Sequence, residues 1–244
     1  MSQASSVKSA FSLLKNPVML ALDVDDVDQA WDFVDLLGDS VGAIKVGPRF
    51  VYRYGQQAVQ KIAAKAPVFV DCKFFDIPST MLSSVQAAFD GGASFVTVHA
   101  MCGLPTLQQL AALEAQLQQQ RPFSILAVTI LTSWTQQDLS HIYRPLPLSQ
   151  HVRSLAEEVA QAGLSGLVCS PHELQLVKDL DLQCVTPGIR WQQLTTPGSK
   201  DDQSRIMTPA EALQAGSSAL VIGRPLLHAN DPQQALESLL AELK

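Results

Sequence analysis

The sequence predicts an α/β chain folded as a single-domain (β/α)8 barrel over residues 1–244. Short β-like runs alternate with amphipathic helical stretches from one end to the other. Eight such units in 244 residues suit a closed barrel, whose usual size is about 250 residues. Helix stop signals recur just ahead of the next strand at Gly38, Gly91-Gly92, Gly163 and Gly216, as expected of helix C-caps. A doubly wound open sheet rarely needs eight evenly spaced units, and no GxGxxG follows the first strand. No linker-like or low-complexity segment divides the chain.

The strands are expected at 18–24, 41–47, 68–74, 94–100, 124–130, 166–170, 183–188 and 218–224. Trp31 and the Leu36-Leu37 pair fit the core side of the first helix, and helical patterns run over 104–120 and 149–163. The polar end at 116–120 reads as a solvated surface. Residues 190–204 (RWQQLTTPGSKDDQS) form a connection that is long for a βα loop, and such loops tend to be lids or binding loops.

Composition narrows the function. Lys plus Arg is 17 and Asp plus Glu is 23, a net charge of −6. That balance argues against a general nucleic-acid coat, which needs clustered cations, but leaves room for a small anionic ligand. With 47% hydrophobic and 16% charged residues, disorder is excluded as an overall description. No apolar run approaches the roughly 18 residues of a membrane span, and the first 17 residues lack the apolar core of a secretory signal. Cysteines at 72, 102, 169 and 184 form no CxxC pair, which fits reduced thiols and a cytoplasmic location. The five histidines show no metal-ligand spacing, and His99 reads as a packed residue.

Parallel strands covered on both faces should be nearly all apolar, and the first three break that rule. Period-2 alternation puts Met19, Ala21 and Asp23 on one face, Ala43, Lys45 and Gly47 on another, and Phe69, Asp71 and Lys73 on a third. The opposite, all-apolar faces suit the helical shell, so the charges point into the barrel. They cluster at the C-terminal ends of their strands, where barrel enzymes build active sites. A merely structural ion network is the weaker explanation, because desolvation offsets much of the attraction in buried pairs. A calcium loop over DVDDVD fails, since Val27 and Asp28 stand where Asp/Asn and Gly belong.

The segment DCKFFDIPST (71–80) resembles the D-x-K-x-x-D-I-P-x-T signature of the orotidine 5′-phosphate decarboxylase family. The similarity extends through LALDVD (20–25), IKVG (44–47), LTS (131–133), TPGIR (186–190) and VIGRP (221–225), each at a strand end. The resemblance implies a homodimeric barrel that converts orotidine 5′-phosphate to uridine 5′-phosphate and carbon dioxide in pyrimidine synthesis, with neither cofactor nor metal. It implies a catalytic array of Lys45, Asp71 and Lys73, with Asp76 and Thr80 reaching into the neighbouring subunit's site. Asp23 would hold the ribose hydroxyls, and Thr132 and Ser133 would lie by the pyrimidine. Gln203 would bridge phosphate and base, while Gly223, Arg224 and Arg190 would hold the phosphate. The loop after Arg190 is somewhat longer than the usual bacterial form.

Two other readings stay open at this point. Magnesium-dependent sugar-phosphate decarboxylases and aldolases of the same barrel group share D-x-K-x-x-D without the I-P-x-T continuation. A non-catalytic barrel would only bind nucleotides, although intact Lys73, Asp71 and Asp76 count against it.

Overall fold

A computed structural model describes residues 8–141, 143–191 and 207–243. Eight parallel strands close on themselves in chain order: β1 (Val18–Ala21), β2 (Ala43–Val46), β3 (Val68–Phe74), β4 (Ala93–His99), β5 (Ser124–Val128), β6 (Gly166–Val168), β7 (Gln183–Thr186) and β8 (Ser217–Ile222). The pairing Val18↔Leu220 between β1 and β8 shuts the barrel. Around it run α1 (Val27–Leu37), α2 (Pro48–Ala63), α3 (Pro78–Asp90), α4 (Leu104–Leu117), α5 (Leu148–Ala162), α6 (Leu174–Val177), α7 (Pro209–Gln214), α8 (Arg224–Leu227) and α9 (Pro232–Glu242). The expected (β/α)8 barrel is therefore the observed fold. Most strands end two or more residues before their apolar pattern does, because the chain leaves the ladder at the rim while its side chains still alternate.

Two apolar layers hold the fold. Outward residues such as Leu20, Ile44, Val70 and Val96 pack beneath the helices. Inward residues fill the barrel itself: Met19, Ala21, Ala43, Phe69, Phe95, Leu126, Val128, Val168, Val185, Ala219 and Val221. The bottom is plugged by the segment just before β1. There Phe11 meets Phe95 edge-on with ring centroids 5.2 Å apart, and the Ala10 amide donates to Ser124 Oγ at 3.0 Å. Among the described residues this segment covers the N-terminal end of the barrel.

Two expectations about helix faces need correction. Leu37 is fully buried but Leu36 is 44% exposed, because consecutive helical residues diverge by about 100°. In the polar stretch 116–120, Gln118 is buried and its Nε2 donates to the Phe123 carbonyl at 2.8 Å. It satisfies a backbone acceptor at the entry to β5 instead of facing solvent.

Candidate active site

The strand register explains why charges from three strands meet. Lys45 is paired with Ala21 of β1 and with Phe69 of β3. Asp23 and Asp71 lie two residues further along those neighbours, hence on the same inward face and one step nearer the rim. A lysine side chain rising from position 45 therefore passes between two carboxylates. Lys45 Nζ lies 3.4 Å from Asp23 Oδ1 and 3.7 Å from Asp71 Oδ2. Lys73 Nζ lies 2.8 Å from Asp71 Oδ1. The result is an alternating row, Asp23–Lys45–Asp71–Lys73.

Burial is graded along this row. The Lys45 side chain is 10% exposed, whereas that of Lys73 is 37% exposed. Burying Lys45 alone would cost several kcal/mol, an amount that its two carboxylates offset. Burial pushes the Asp71 carboxyl upward. The charges of Lys45 and Lys73, with hydrogen bonds from Lys73 and Thr97, outweigh that push and hold it below the usual carboxylate range. Asp71 is therefore an anion at neutral pH, and the Lys73 Nζ stands against it at the more exposed end of the row.

The end of β3 departs from a plain strand. Val70 pairs with Val96 and Phe74 with Val98, with a register shift between them. Asp71, Cys72 and Lys73 thus oppose the single residue Thr97. Lys73 adopts φ 47°, in the left-handed region. Alternation still holds, since Cys72 and Phe74 pack against the outer core while Asp71 and Lys73 meet inside. Burial and the neighbouring Asp71 charge push the Cys72 thiol up to about 11, so it is unreactive at neutral pH.

The other expected residues are placed as follows. Asp76 stands on an exposed stretch, where its Oδ1 accepts from the Ile77 amide at 2.7 Å; within one chain it is not a member of the row. Thr80 is exposed on α3, in an open groove with Ser79, Ser83, Ser84 and Ala87. Thr132 and Ser133 are the central residues of a turn after β5 that is closed by the Trp134 amide donating to the Leu131 carbonyl at 2.9 Å. The Arg190 amide donates to the Met207 carbonyl at 3.0 Å, which ties the end of the β7 segment to the entry of α7. Gly223 sits where a Cβ would come 3.2 Å from the Ala21 Cβ, so β8 passes close to β1 there and Arg224 starts α8. Gln203, with residues 192–204 of the expected lid, lies outside the described residues.

Sequence reasoning missed Thr97. Its hydroxyl donates to Asp71 Oδ1 at 2.9 Å and accepts from the Lys73 amide at 2.8 Å. The available signal was its place on the inward face of β4, between Phe95 and His99. It also missed a clamp on the loop after β1: Arg49 grips the Asp25 carboxylate, and Tyr54 Oη donates to the Asp25 carbonyl. His99 accepts from the Met101 amide at 3.3 Å and tilts against Phe75. Burial and the Lys73 charge hold its pKa down.

A closed (β/α)8 barrel with ionisable groups gathered at the C-terminal rim defines the class, a barrel enzyme. The chain matches the model of the Orotidine 5′-phosphate decarboxylase / HUMPS family over residues 16–239. It is 38% identical to an orotidine 5′-phosphate decarboxylase of Shewanella sediminis, across 91% of this chain and 95% of that protein. With one from Rhodopseudomonas palustris strain HaA2 the identity is 40%, across 94% and 95%. The crystal structure of orotidine 5′-phosphate decarboxylase from Lactobacillus acidophilus superposes with a TM-score of 0.77 at 32% identity, covering 94% of this chain and all of that one. The chain belongs to the orotidine 5′-phosphate decarboxylase family.

Proposed function

We propose that this chain decarboxylates orotidine 5′-phosphate to uridine 5′-phosphate and carbon dioxide, and that the row Asp23–Lys45–Asp71–Lys73 performs the chemistry. The observation that carries the reading is the Lys73 ammonium held 2.8 Å from Asp71 at the open edge of the row. When the bond between C6 and the carboxylate carbon breaks, its electron pair stays on C6, where no π-system accepts it. A preplaced cation stabilises that charge without reorganising, and the Lys73 Nζ then gives C6 a proton. The neutral amine left behind recovers its proton from solvent at the mouth. Asp71 holds the Lys73 Nζ in place before the reaction through their 2.8 Å contact.

Repulsion between Asp71 and the substrate carboxylate is the smaller contribution. Two like charges 4 Å apart are worth about 4 kcal/mol at an effective dielectric near 20. Enzymes lower barriers by roughly 8–23 kcal/mol, and slow uncatalysed reactions need the upper end. Stabilising the carbanion therefore has to supply more than repulsion does.

Asp23, beside Lys45 and more than half exposed, is assigned to the ribose hydroxyls, and Thr132 and Ser133 to the pyrimidine. Gly223, Arg224 and Arg190 are assigned to the phosphate, with Gln203 bridging from it to the base. Phosphate binding far from C6 can then help to fix the reacting geometry.

The working form is a homodimer in which Asp76 and Thr80 serve the partner's site. Phe75 is 58% and Ile77 65% exposed, flanking a carboxylate that joins no ion pair with the row in its own chain. Apolar residues this exposed beside a polar group suit an interface. Mixing inactive Lys73→Ala and Asp76→Ala proteins should restore activity in one of the two sites of each mixed dimer. No recovery after confirmed subunit exchange would contradict the shared site.

The activity is tested by adding orotidine 5′-phosphate to metal-stripped protein and following its ultraviolet absorbance. Turnover is expected with chelator present. Binding without turnover would favour a non-catalytic barrel, and turnover of a sugar phosphate only with added magnesium would favour the related lyases.

A further inference from the structure

We infer that Thr97 is a positioning residue that aims the Lys73 ammonium by fixing the irregular end of β3. The inference rests on the decarboxylase reading for its consequence and on the strand geometry for its cause. Between the pairs Val70↔Val96 and Phe74↔Val98, three residues of β3 must be accommodated opposite one of β4. The extra length is taken up at Lys73, which with Asp181 is one of two non-glycine residues at positive φ among the described residues.

A left-handed lysine costs conformational energy and persists only where its surroundings impose it. Its amide has also turned away from the regular ladder and needs an acceptor. Thr97 Oγ1 supplies one at 2.8 Å. The same hydroxyl spends its proton on Asp71 Oδ1 at 2.9 Å, and that oxygen in turn receives Lys73 Nζ at 2.8 Å. One oxygen thus closes a ring: Lys73 backbone, Thr97, Asp71 and the Lys73 side chain.

Thr97 is fully buried, so water cannot replace it. The inward residues beside it, Phe69, Phe95 and Leu126, are apolar. Valine would fill the same space while removing both the donor and the acceptor. The hydroxyl, not the volume, is what the position requires. Without it the bulge loses its brace and Asp71 loses a directional donor, so the ammonium is placed less accurately, and a displacement near 1 Å can cost about 10²-fold in rate.

The test compares Thr97→Val and Thr97→Ser with the parent by kcat, KM, affinity for uridine 5′-phosphate, and hydrogen exchange at the Lys73 amide. Valine should lower kcat about 10²-fold, leave nucleotide affinity within about threefold, and speed Lys73 amide exchange at least about tenfold. Serine should keep all of these within about threefold of the parent. Parent-like kcat and exchange in the valine variant would overturn the inference, as would a serine variant impaired as badly as valine. If the valine variant fails to fold, the serine variant decides, since it must retain both turnover and amide protection. If the parent itself does not turn over orotidine 5′-phosphate, the functional reading fails separately, and Lys73 exchange still decides whether Thr97 braces the bulge.

Discussion

The two halves of the barrel solve different problems. Strands β1 to β4 carry ionisable or hydroxyl side chains inward near the rim: Lys45, Asp71, Lys73 and Thr97, with Asp23 just beyond β1. Strands β5 to β8 turn Leu126, Val128, Val168, Val185, Ala219 and Val221 inward. Their polar candidates stand instead in the segments after the strands, at Thr132, Ser133, Arg190 and Arg224. A strand fixes a side chain more tightly than a loop does. The proposed function accordingly assigns the reacting groups to the first half and recognition of the substrate's remote parts to the second.

This division predicts separable kinetic effects. The largest is expected from Asp71→Asn, which keeps the shape but removes the anion between two ammoniums. It should lower kcat by about 10³-fold, comparable to deleting a preorganised electrostatic group. A loss confined to KM in steady-state assays would break the comparison from the catalytic side. A smaller effect is expected from Arg224→Ala in the second half. Hydrogen bonds to charged groups are worth about 1.5–3 kcal/mol, so KM for orotidine 5′-phosphate should rise roughly ten- to a hundredfold while kcat changes less. A drop in kcat alone would place Arg224 with the wrong half.

The smallest effect on turnover, and a clear one on stability, belongs to Glu114 of α4, beneath β5. Its buried carboxyl accepts from the Ile125 amide at 2.5 Å, and burial raises its pKa to about 7. The unfolded chain ionises this group near pH 4.3, whereas the folded chain keeps its proton longer. Stability should therefore fall as pH rises from about 4.3 to about 7, by about 4 kcal/mol at most, and then level off. Glu114→Gln should flatten that slope in denaturant titrations at a series of pH values, with kcat unchanged. An unaltered slope would show that Glu114 is not its source.

Much of this was legible in the sequence because period-2 alternation survives translation into a barrel. Asp23, Lys45, Asp71 and Lys73 could be put on inward faces from spacing alone, and the structure brings all four together. The β3 bulge was not legible, since it depends on which residue of β4 pairs with which of β3, a non-local fact. Thr97 was overlooked for a related reason: a threonine in a buried strand reads as an ordinary β-former until its hydroxyl partners are known. Gln118 and Leu36 were misjudged because helix faces depend on where the neighbouring strands begin. The role given to Asp76 needs a second chain, and no pattern within one chain can supply that.

The central claim is that a fixed ammonium at position 73 both steadies and protonates the carbanion at C6. Its most direct test is Lys73→Ala, assayed for turnover of orotidine 5′-phosphate and, separately, for binding of uridine 5′-phosphate. The account predicts turnover lowered by at least about 10⁴-fold, the upper end of the usual range for a single acid or base, with product affinity within about tenfold of the parent. A variant that decarboxylates at near-parental rates, or whose residual activity is lost only in step with nucleotide binding, would contradict it.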